Sequence, residues 1–398
     1  MKQVLEFLNI PKFRLSVQAM FGIAGFFILF VSTTFLAFNF RNESQNLSSK
    51  LSATEKELKK VVNELEVLKK EDQYVKNKAL EEEIKNINTA YLEAVSLYEQ
   101  LIDLAGNQAK TATLEAMLSD SLTYLAKRNY ASGTAELKIL KAEIQKTKAT
   151  VASTFTIPKN VPVENAPPSS GYRRQTVQID IGQYLVDIIT GDLNSTRVIV
   201  DTASDSTCGN DCPVDSLASY AGRSGAYAGI NGPYFCPAEY PSCSDKKNSF
   251  DTLLMNKNKV YFNSDNNVYS NVPAVIFSGN SARFVGASSE WGRDTGVDSV
   301  IAAQPMLLSG GNITFGGDGD PKKGSKGNRS FIGVTGNTVY IGVVHNATVA
   351  EVAHVLKALG IQSALNLDSG GSTALWFSGR YIAGPGRNTP YGILFARK

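Results

Sequence analysis

The sequence predicts an α+β fold: a mixed, largely antiparallel β-sheet domain with few helices, preceded by a transmembrane helix and an α-helical coiled-coil stalk. Three observations predict it. A charge-free apolar run occupies 15–38, heptad spacing without proline fills 43–150, and beyond a proline-rich segment the chain turns to short β-branched runs punctuated by glycine. With 398 residues, 43% hydrophobic and 19% charged, the chain is long and apolar enough for a sizeable core and more than one domain. Lys and Arg outnumber Asp and Glu only 40 to 37, a balance that argues against a dedicated nucleic-acid binder.

The elements follow in chain order. At about 1.5 Å per residue, a helix over 15–38 is roughly 36 Å long, enough for a hydrocarbon core of about 30 Å. A cleaved signal peptide is the alternative, but its apolar core runs only about 7–15 residues. Lys2, Lys12 and Arg14 precede the run, whereas Arg41 follows beside Glu43. The positive-inside rule then leaves 1–14 as a cytoplasmic tail and places the rest outside a cell membrane crossed once, with the lipid bilayer as partner of 15–38.

Over 43–150 the stripe recurs at steps of three and four: Leu47, Leu51, Thr54, Leu58, Val61, Leu65 and Leu68, then Leu80, Ile84, Ile87, Tyr91, Ala94, Tyr98, Leu101 and Ala105. The phase slips near 72–78, and Gly106 and the stretch 129–133 read as helix breaks. Heptad spacing predicts a coiled-coil stalk that spaces the carboxy-terminal domain from the membrane and joins copies into a homo-oligomer. The alternative is a stripe that packs within one chain. Pro158, Pro162, Pro167 and Pro168 mark 151–171 as a linker.

Residues 172–398 form the β-rich domain. Strand candidates include 176–181, 184–190, 197–200, 274–277, 300–303, 331–334, 339–344, 363–367, 374–377 and 392–396, with Gly336-Asn337 as a hairpin turn. Thr348-Val349-Ala350-Glu351 is a capping box that opens a helix with an apolar face, closed by Gly360. Four cysteines allow three pairings, of which the local pairs Cys208–Cys212 and Cys236–Cys243 are preferred. Zinc is the rival reading, opposed by the C-x3-C and C-x6-C spacings and by distant histidines.

Three motifs carry chemistry. In Ile230-Asn231-Gly232-Pro233-Tyr234-Phe235 a sharp turn presents one amide side chain. In Asn328-Arg329-Ser330-Phe331 a guanidinium and a hydroxyl enter an apolar strand, and the planar fork of arginine matches carboxylate or phosphate oxygens. In Leu367-Asp368-Ser369-Gly370-Gly371-Ser372-Thr373 a carboxylate precedes a Gly-Gly turn and two hydroxyls, a pattern suited to holding an anion. Each alone also fits an ordinary turn or a surface ion pair.

In this order, with Gln304-Pro305-Met306-Leu307-Leu308 between the first two motifs and the capped helix before the third, residues 172–398 resemble the phosphodiester glycosidase family. The resemblance implies hydrolysis between the anomeric carbon of a sugar and a phosphodiester oxygen, with a sugar phosphodiester such as a GlcNAc-1-phosphodiester in surface glycans as substrate. It implies that Arg329 binds the phosphate, that the amides of Gly370, Gly371 and Ser372 hold its oxygens beside Ser330 and Thr373, and that Asn231 orients the substrate. Asp368 then serves as nucleophile, base or stabiliser of positive charge at the anomeric carbon. A phosphate leaving group has a second pKa of about 6 and needs little protonation, so one carboxylate suffices; Asp251 and Asp318 are the candidates for a second. Ser369 stands where the family has glycine, and His345-Asn346 where it often has Asp-Gly. His354 reads as a packing or surface residue. No cofactor is expected, although Asp318 and Asp320 in a Gly-rich loop hint at calcium without the full ligand pattern. The competing functional classes are a non-catalytic carbohydrate-binding module and a structural surface protein on the same fold.

Overall fold

The computed structural model describes residues 17–106, 109–265 and 267–398. They divide into two compact units, one ending at Lys85 and one spanning Asn86–Lys398.

In the first unit helix α1 runs Val17–Lys70, and helix α2 (Asp72–Gly106) begins after a bend at Glu71, where the heptad phase slips. Leu47, Leu51, Leu58, Val61, Leu65 and Leu68 are all exposed. The expected membrane-spanning anchor over 15–38 is overturned, and with it the single-pass placement and the bilayer as partner. Among the described residues no helix is long and apolar enough to cross a membrane. Within 15–38 the described side chains are not uniformly apolar. Ser32, Thr33 and Thr34 interrupt that run with hydroxyls bonded back to helix carbonyls, and Asn39, Arg41 and Glu43 follow. The tail 1–14 lies outside the described residues.

In the second unit the rest of α2 packs with α3 (Ala112–Ala126) and α4 (Tyr130–Thr154). Ala94, Leu97, Leu101 and Leu104 meet Leu118, Leu125, Leu137, Leu140 and Ile144, so of the predicted series Ala94 and Leu101 are buried within one chain while Tyr91 and Tyr98 are exposed. Gly106 ends α2, and Asn129 caps α4 by accepting the Ser132 amide, as the break signals predict. The proline-rich segment that follows lies against the sheet domain: the Glu164 N–H donates to the Thr176 carbonyl, the Thr176 N–H donates to the Pro162 carbonyl, and Gln175 donates to the carbonyls of Glu164 and Ala166.

The sheet domain contains three antiparallel sheets. The first has seven strands, in the order β1 (Gly171–Ile179), β2 (Gly182–Asp192), β13 (Thr338–Ala347), β12 (Gly327–Thr335), β14 (Ser363–Asn366), β10 (Met306–Ser309) and β11 (Asn312–Ile313). The second runs β16 (Arg380–Ala383), β15 (Leu375–Phe377), β4 (Ala226–Asn231), β17 (Tyr391–Arg397) and β3 (Thr196–Thr202). The third runs β6 (Tyr261–Phe262), β5 (Leu254–Met255), β9 (Ser299–Ala302), β7 (Ala274–Ser278) and β8 (Ser281–Val285). Short helices α5 (Leu217–Arg223) and α6 (Pro321–Gly324) and the longer α7 (Val349–Ala358) complete it.

Period-two alternation explains the layering. Along β13, Val339, Ile341 and Val343 enter a core shared with the other two sheets, while Tyr340 and Val344 enter a second core under α7. Thr348 and Glu351 form the predicted capping box, and Gly336 turns the β12–β13 hairpin at φ +56°. Both local disulfides are present, Cys208–Cys212 and Cys236–Cys243.

One polar cluster ties the first four strands of the large sheet together. Asp187 on β2 is fully buried. It accepts from Arg174 through both oxygens (2.8 Å each), from Tyr172 (2.6 Å), and meets His345 Nε2 at 2.7 Å. Burial pushes its carboxyl up, but the bonds from His345, Arg174 and Tyr172 outweigh burial and hold it at about 2. A carboxyl depressed in the folded state contributes stability that is present above its unfolded value and is lost as pH falls through the folded one. We therefore expect roughly 2 kcal/mol of unfolding free energy to vanish between about pH 4 and pH 2, and Asp187→Asn to remove that slope. Denaturant titrations across that range decide it; equal slopes in the two proteins defeat the assignment.

Candidate active site

Three strand ends of the first two sheets converge at one place. β4 ends at Asn231, β12 begins with Asn328, Arg329 and Ser330, and β14 runs out through Asn366 and Leu367 to Asp368. The register aligns the ends of β12 and β14. Phe331 lies opposite Asn366, and the Leu367 N–H continues the ladder to the Ser330 carbonyl at 2.9 Å. Beyond it the chain leaves the ladder, and Arg329 lies within electrostatic reach of the Asp368 charge.

Asn231 is the pin of this junction. Its Nδ2 donates to the carbonyls of Gly232 (3.1 Å) and Asp368 (2.7 Å), and its Oδ1 accepts from the Ser330 hydroxyl (2.8 Å) and the Ala374 N–H (3.1 Å). Both amide hydrogens and both lone pairs are used within the protein, so the side chain positions Asp368 instead of reaching for a ligand. Ser330 is likewise fully buried, its hydroxyl spent on Asn231.

Asp368 is almost wholly buried. Its Oδ1 accepts from the Ser369 N–H at 2.8 Å, and its own N–H donates to the Gly232 carbonyl at 3.1 Å. Burial pushes the carboxyl up to about 6, against the bonds from Ser372 and Ser369 and the charge of Arg387; the charge of Asp103 adds to the rise. A carboxyl tuned to this range exchanges its proton near neutrality.

Arg329 is also buried, and burial draws its guanidinium below the usual arginine range. Nε donates to the Ala347 carbonyl (3.0 Å), and Nη2 donates to the carbonyls of Lys322 (2.8 Å) and Ser325. These bonds tie α6 and its loop to β12, so much of the fork is engaged inside the protein. Tyr234 lies within electrostatic reach of both Arg329 and Asp368, its phenol pushed up to about 12 chiefly by burial. Its hydroxyl accepts from Asn366 Nδ2 at 2.9 Å, which leaves its proton to point elsewhere.

The Gly-Gly turn forms a short 3-10 helix, Gly370–Ser372, with Gly370 at φ +63°. The Ser372 and Thr373 amides are bonded to the carbonyls of Ser369 and Gly370, so only Gly370 and Gly371 begin the turn without a helical acceptor. Gly371 is hemmed in: a Cβ there would fall on the Arg387 guanidinium, and the Arg387 N–H donates to the Gly371 carbonyl at 2.9 Å. Thr373 is buried and its hydroxyl donates to the Asn328 carbonyl at 3.3 Å.

Arg387 escaped the sequence reading. It sits 5.2 Å over the Tyr240 ring, within reach of the Asp368 charge. The only local sign was a Gly384-Pro385-Gly386 turn that delivers the next residue to a defined place. The second carboxylate near Asp368 also comes from elsewhere: Asp103, on α2, accepts from the Tyr240 hydroxyl and lies 3.6 Å from Arg387 Nη2. Of the two carboxylates proposed from sequence, Asp251 is exposed, and Asp318 pairs with Lys323. Asp320 caps α6 through the Lys322 amide (2.8 Å), and among the described residues no group of three or more acidic, His or Cys side chains is arranged to hold a metal ion. His345 joins the Asp187 cluster, with Nδ1 3.0 Å from Asn328 Oδ1 and its ring stacked on Phe155. His354 is exposed on α7.

Residues 224–397 match the family model described as phosphodiester glycosidase, a stretch that contains all three motifs. Among solved structures, a hypothetical protein from Synechocystis is 14% identical with a TM-score of 0.44, over 56% of this chain and 61% of that one. The catalytic domain of zebrafish N-acetylglucosamine-1-phosphodiester α-N-acetylglucosaminidase, auto-inhibited by pro-peptide, is also 14% identical with a TM-score of 0.44, over 60% of this chain and 87% of that one. A search of curated proteins gives no match.

Proposed function

From a carboxy-terminal domain that carries the phosphodiester glycosidase family match over residues 224–397, we propose that this protein hydrolyses the bond between a sugar's anomeric carbon and a phosphodiester oxygen. The observation that supports the reading is a buried Asp368, raised to about 6 by burial, with the charges of Arg387 and Arg329 within electrostatic reach.

Water attacks the anomeric carbon and passes a proton to the Asp368 carboxylate. The carbon–oxygen bond breaks with its electron pair moving onto the phosphate oxygen, and a phosphomonoester departs. Developing positive charge on the sugar is stabilised by the same carboxylate, and negative charge on the leaving phosphate by the Arg387 guanidinium and the buried charge of Arg329. The leaving group, with a second pKa of about 6, departs without a dedicated acid. Tyr234 offers its hydroxyl proton to a substrate oxygen, and Asn231 holds the Asp368 backbone in place. The substrate class is a sugar-1-phosphodiester, such as a GlcNAc-1-phosphodiester of surface glycans.

The experiment is incubation of the purified chain with a GlcNAc-1-phosphodiester. Free sugar and phosphomonoester should appear in equal amounts. Tight binding of the diester with no sugar released would instead assign the domain to carbohydrate binding.

A further inference from the structure

The last turns of α2 lie on the candidate site, within the same compact unit. Glu99 accepts from the Ser242 amide at 3.1 Å, in the loop closed by the Cys236–Cys243 disulfide. One turn on, Asp103 accepts from the Tyr240 hydroxyl and stands 3.6 Å from Arg387. Gly106, another turn further, abuts the Gly-Gly turn so closely that a Cβ would come within 3.2 Å of the Gly371 Cα. A helix carboxyl end adds its own partial negative charge at this place. Negative charge is thus built onto the cation that faces the phosphate, by a segment outside the stretch that matches the family model.

We propose that Asp103 is a specificity-determining residue, which makes the site accept phosphodiester monoanions and reject phosphomonoester dianions. This rests on the reading of the reaction given above. A phosphodiester carries one negative charge, whereas a monoester gains a second as pH passes about 6. Arg387 already shares its charge with Asp103 and Asp368, and Glu239 adds to the negative field around it. Lys148, bonded to Gln100 Oε1 at 2.8 Å, also lies within reach of the Asp103 charge, so the cations here are already shared. A single added negative charge is accommodated; a second repels Asp103. Cleavage itself converts the bound phosphate from a diester to a monoester, so the same repulsion that screens the substrate expels the product.

The test compares the full chain with Asp103→Asn, using methyl phosphate and dimethyl phosphate as probes at about pH 8, where the monoester is a dianion. Titration followed by NMR should show methyl phosphate binding about tenfold tighter to the variant, about 1.4 kcal/mol, with dimethyl phosphate changed less than about twofold. Asp103→Glu, which keeps the charge, should retain the wild-type preference, and Asp103→Ser should repeat the effect of Asn. An equal shift for both anions, no shift for either, or no binding of either probe by any of the chains overturns the proposal. Release of sugar from the diester is scored separately. A chain that discriminates the two anions yet releases no sugar loses the hydrolytic reading alone, and a hydrolase whose Asp103→Asn variant keeps the wild-type discrimination loses this proposal alone.

Discussion

Asp368→Asn is expected to lower kcat/KM for a sugar-1-phosphodiester about a thousandfold, within the range for removal of a positioned acid or base. The amide keeps the shape of the side chain but can neither take a proton from water nor stabilise positive charge at the anomeric carbon. Burial pushes the wild-type carboxyl up to about 6, so its charged form grows as pH rises through that value. If the carboxylate is the working form, kcat/KM rises across about pH 6 and then levels, and the variant lacks this limb. The stability sign runs the other way. A raised carboxyl stabilises the fold while protonated, and that contribution is lost as pH climbs through the folded value. Above about pH 6 the variant is therefore expected to be at least as stable as the wild type, because a buried amide carries no ionisation penalty. Activity close to wild type, or a fall in activity explained by unfolding, would remove Asp368 from the chemistry.

Asn231→Ala is expected to have the largest effect on stability, about 3 kcal/mol of unfolding free energy. The side chain is almost fully buried and leaves four partners behind: the Ser330 hydroxyl, the Ala374 N–H and the carbonyls of Gly232 and Asp368. Each buried group without a partner costs about 1 kcal/mol or more. Asn231→Asp does not rescue, because a carboxylate cannot donate to the two carbonyls. Turnover falls as well, through the displaced backbone of Asp368, while KM changes little. Chemical denaturation with steady-state kinetics separates the two possible roles: a raised KM at unchanged unfolding free energy would mean that Asn231 touches the substrate.

Much of the fold was legible in short stretches. The capping box at Thr348 and Glu351 and the Gly336-Asn337 turn act between residues a few positions apart, and both appear where predicted. Local pairing of Cys208 with Cys212 and of Cys236 with Cys243 follows the same logic. The apolar run near the amino terminus predicted a membrane-spanning helix, whereas among the described residues no helix is long and apolar enough to cross a membrane. Tyr234 stood in a motif without a role, since nothing near it in sequence foretells the bond from Asn366.

What the sequence alone determined is the set of chemical groups and their local frames: an acid before a Gly-Gly turn, a guanidinium entering a strand, an amide at a strand end. Tertiary structure decided which of them meet. The pairing of β12 with β14 brought Arg329 within reach of the Asp368 charge, and the seating of α2 brought Asp103 to Arg387, which lies far away in the chain. Local patterns are written by neighbours, because helix and turn bonds close over a few residues. Meetings across sheets depend on pairing and packing of segments that share no sequence signal, and there the role of a side chain is set by which of its polar atoms the fold has already satisfied.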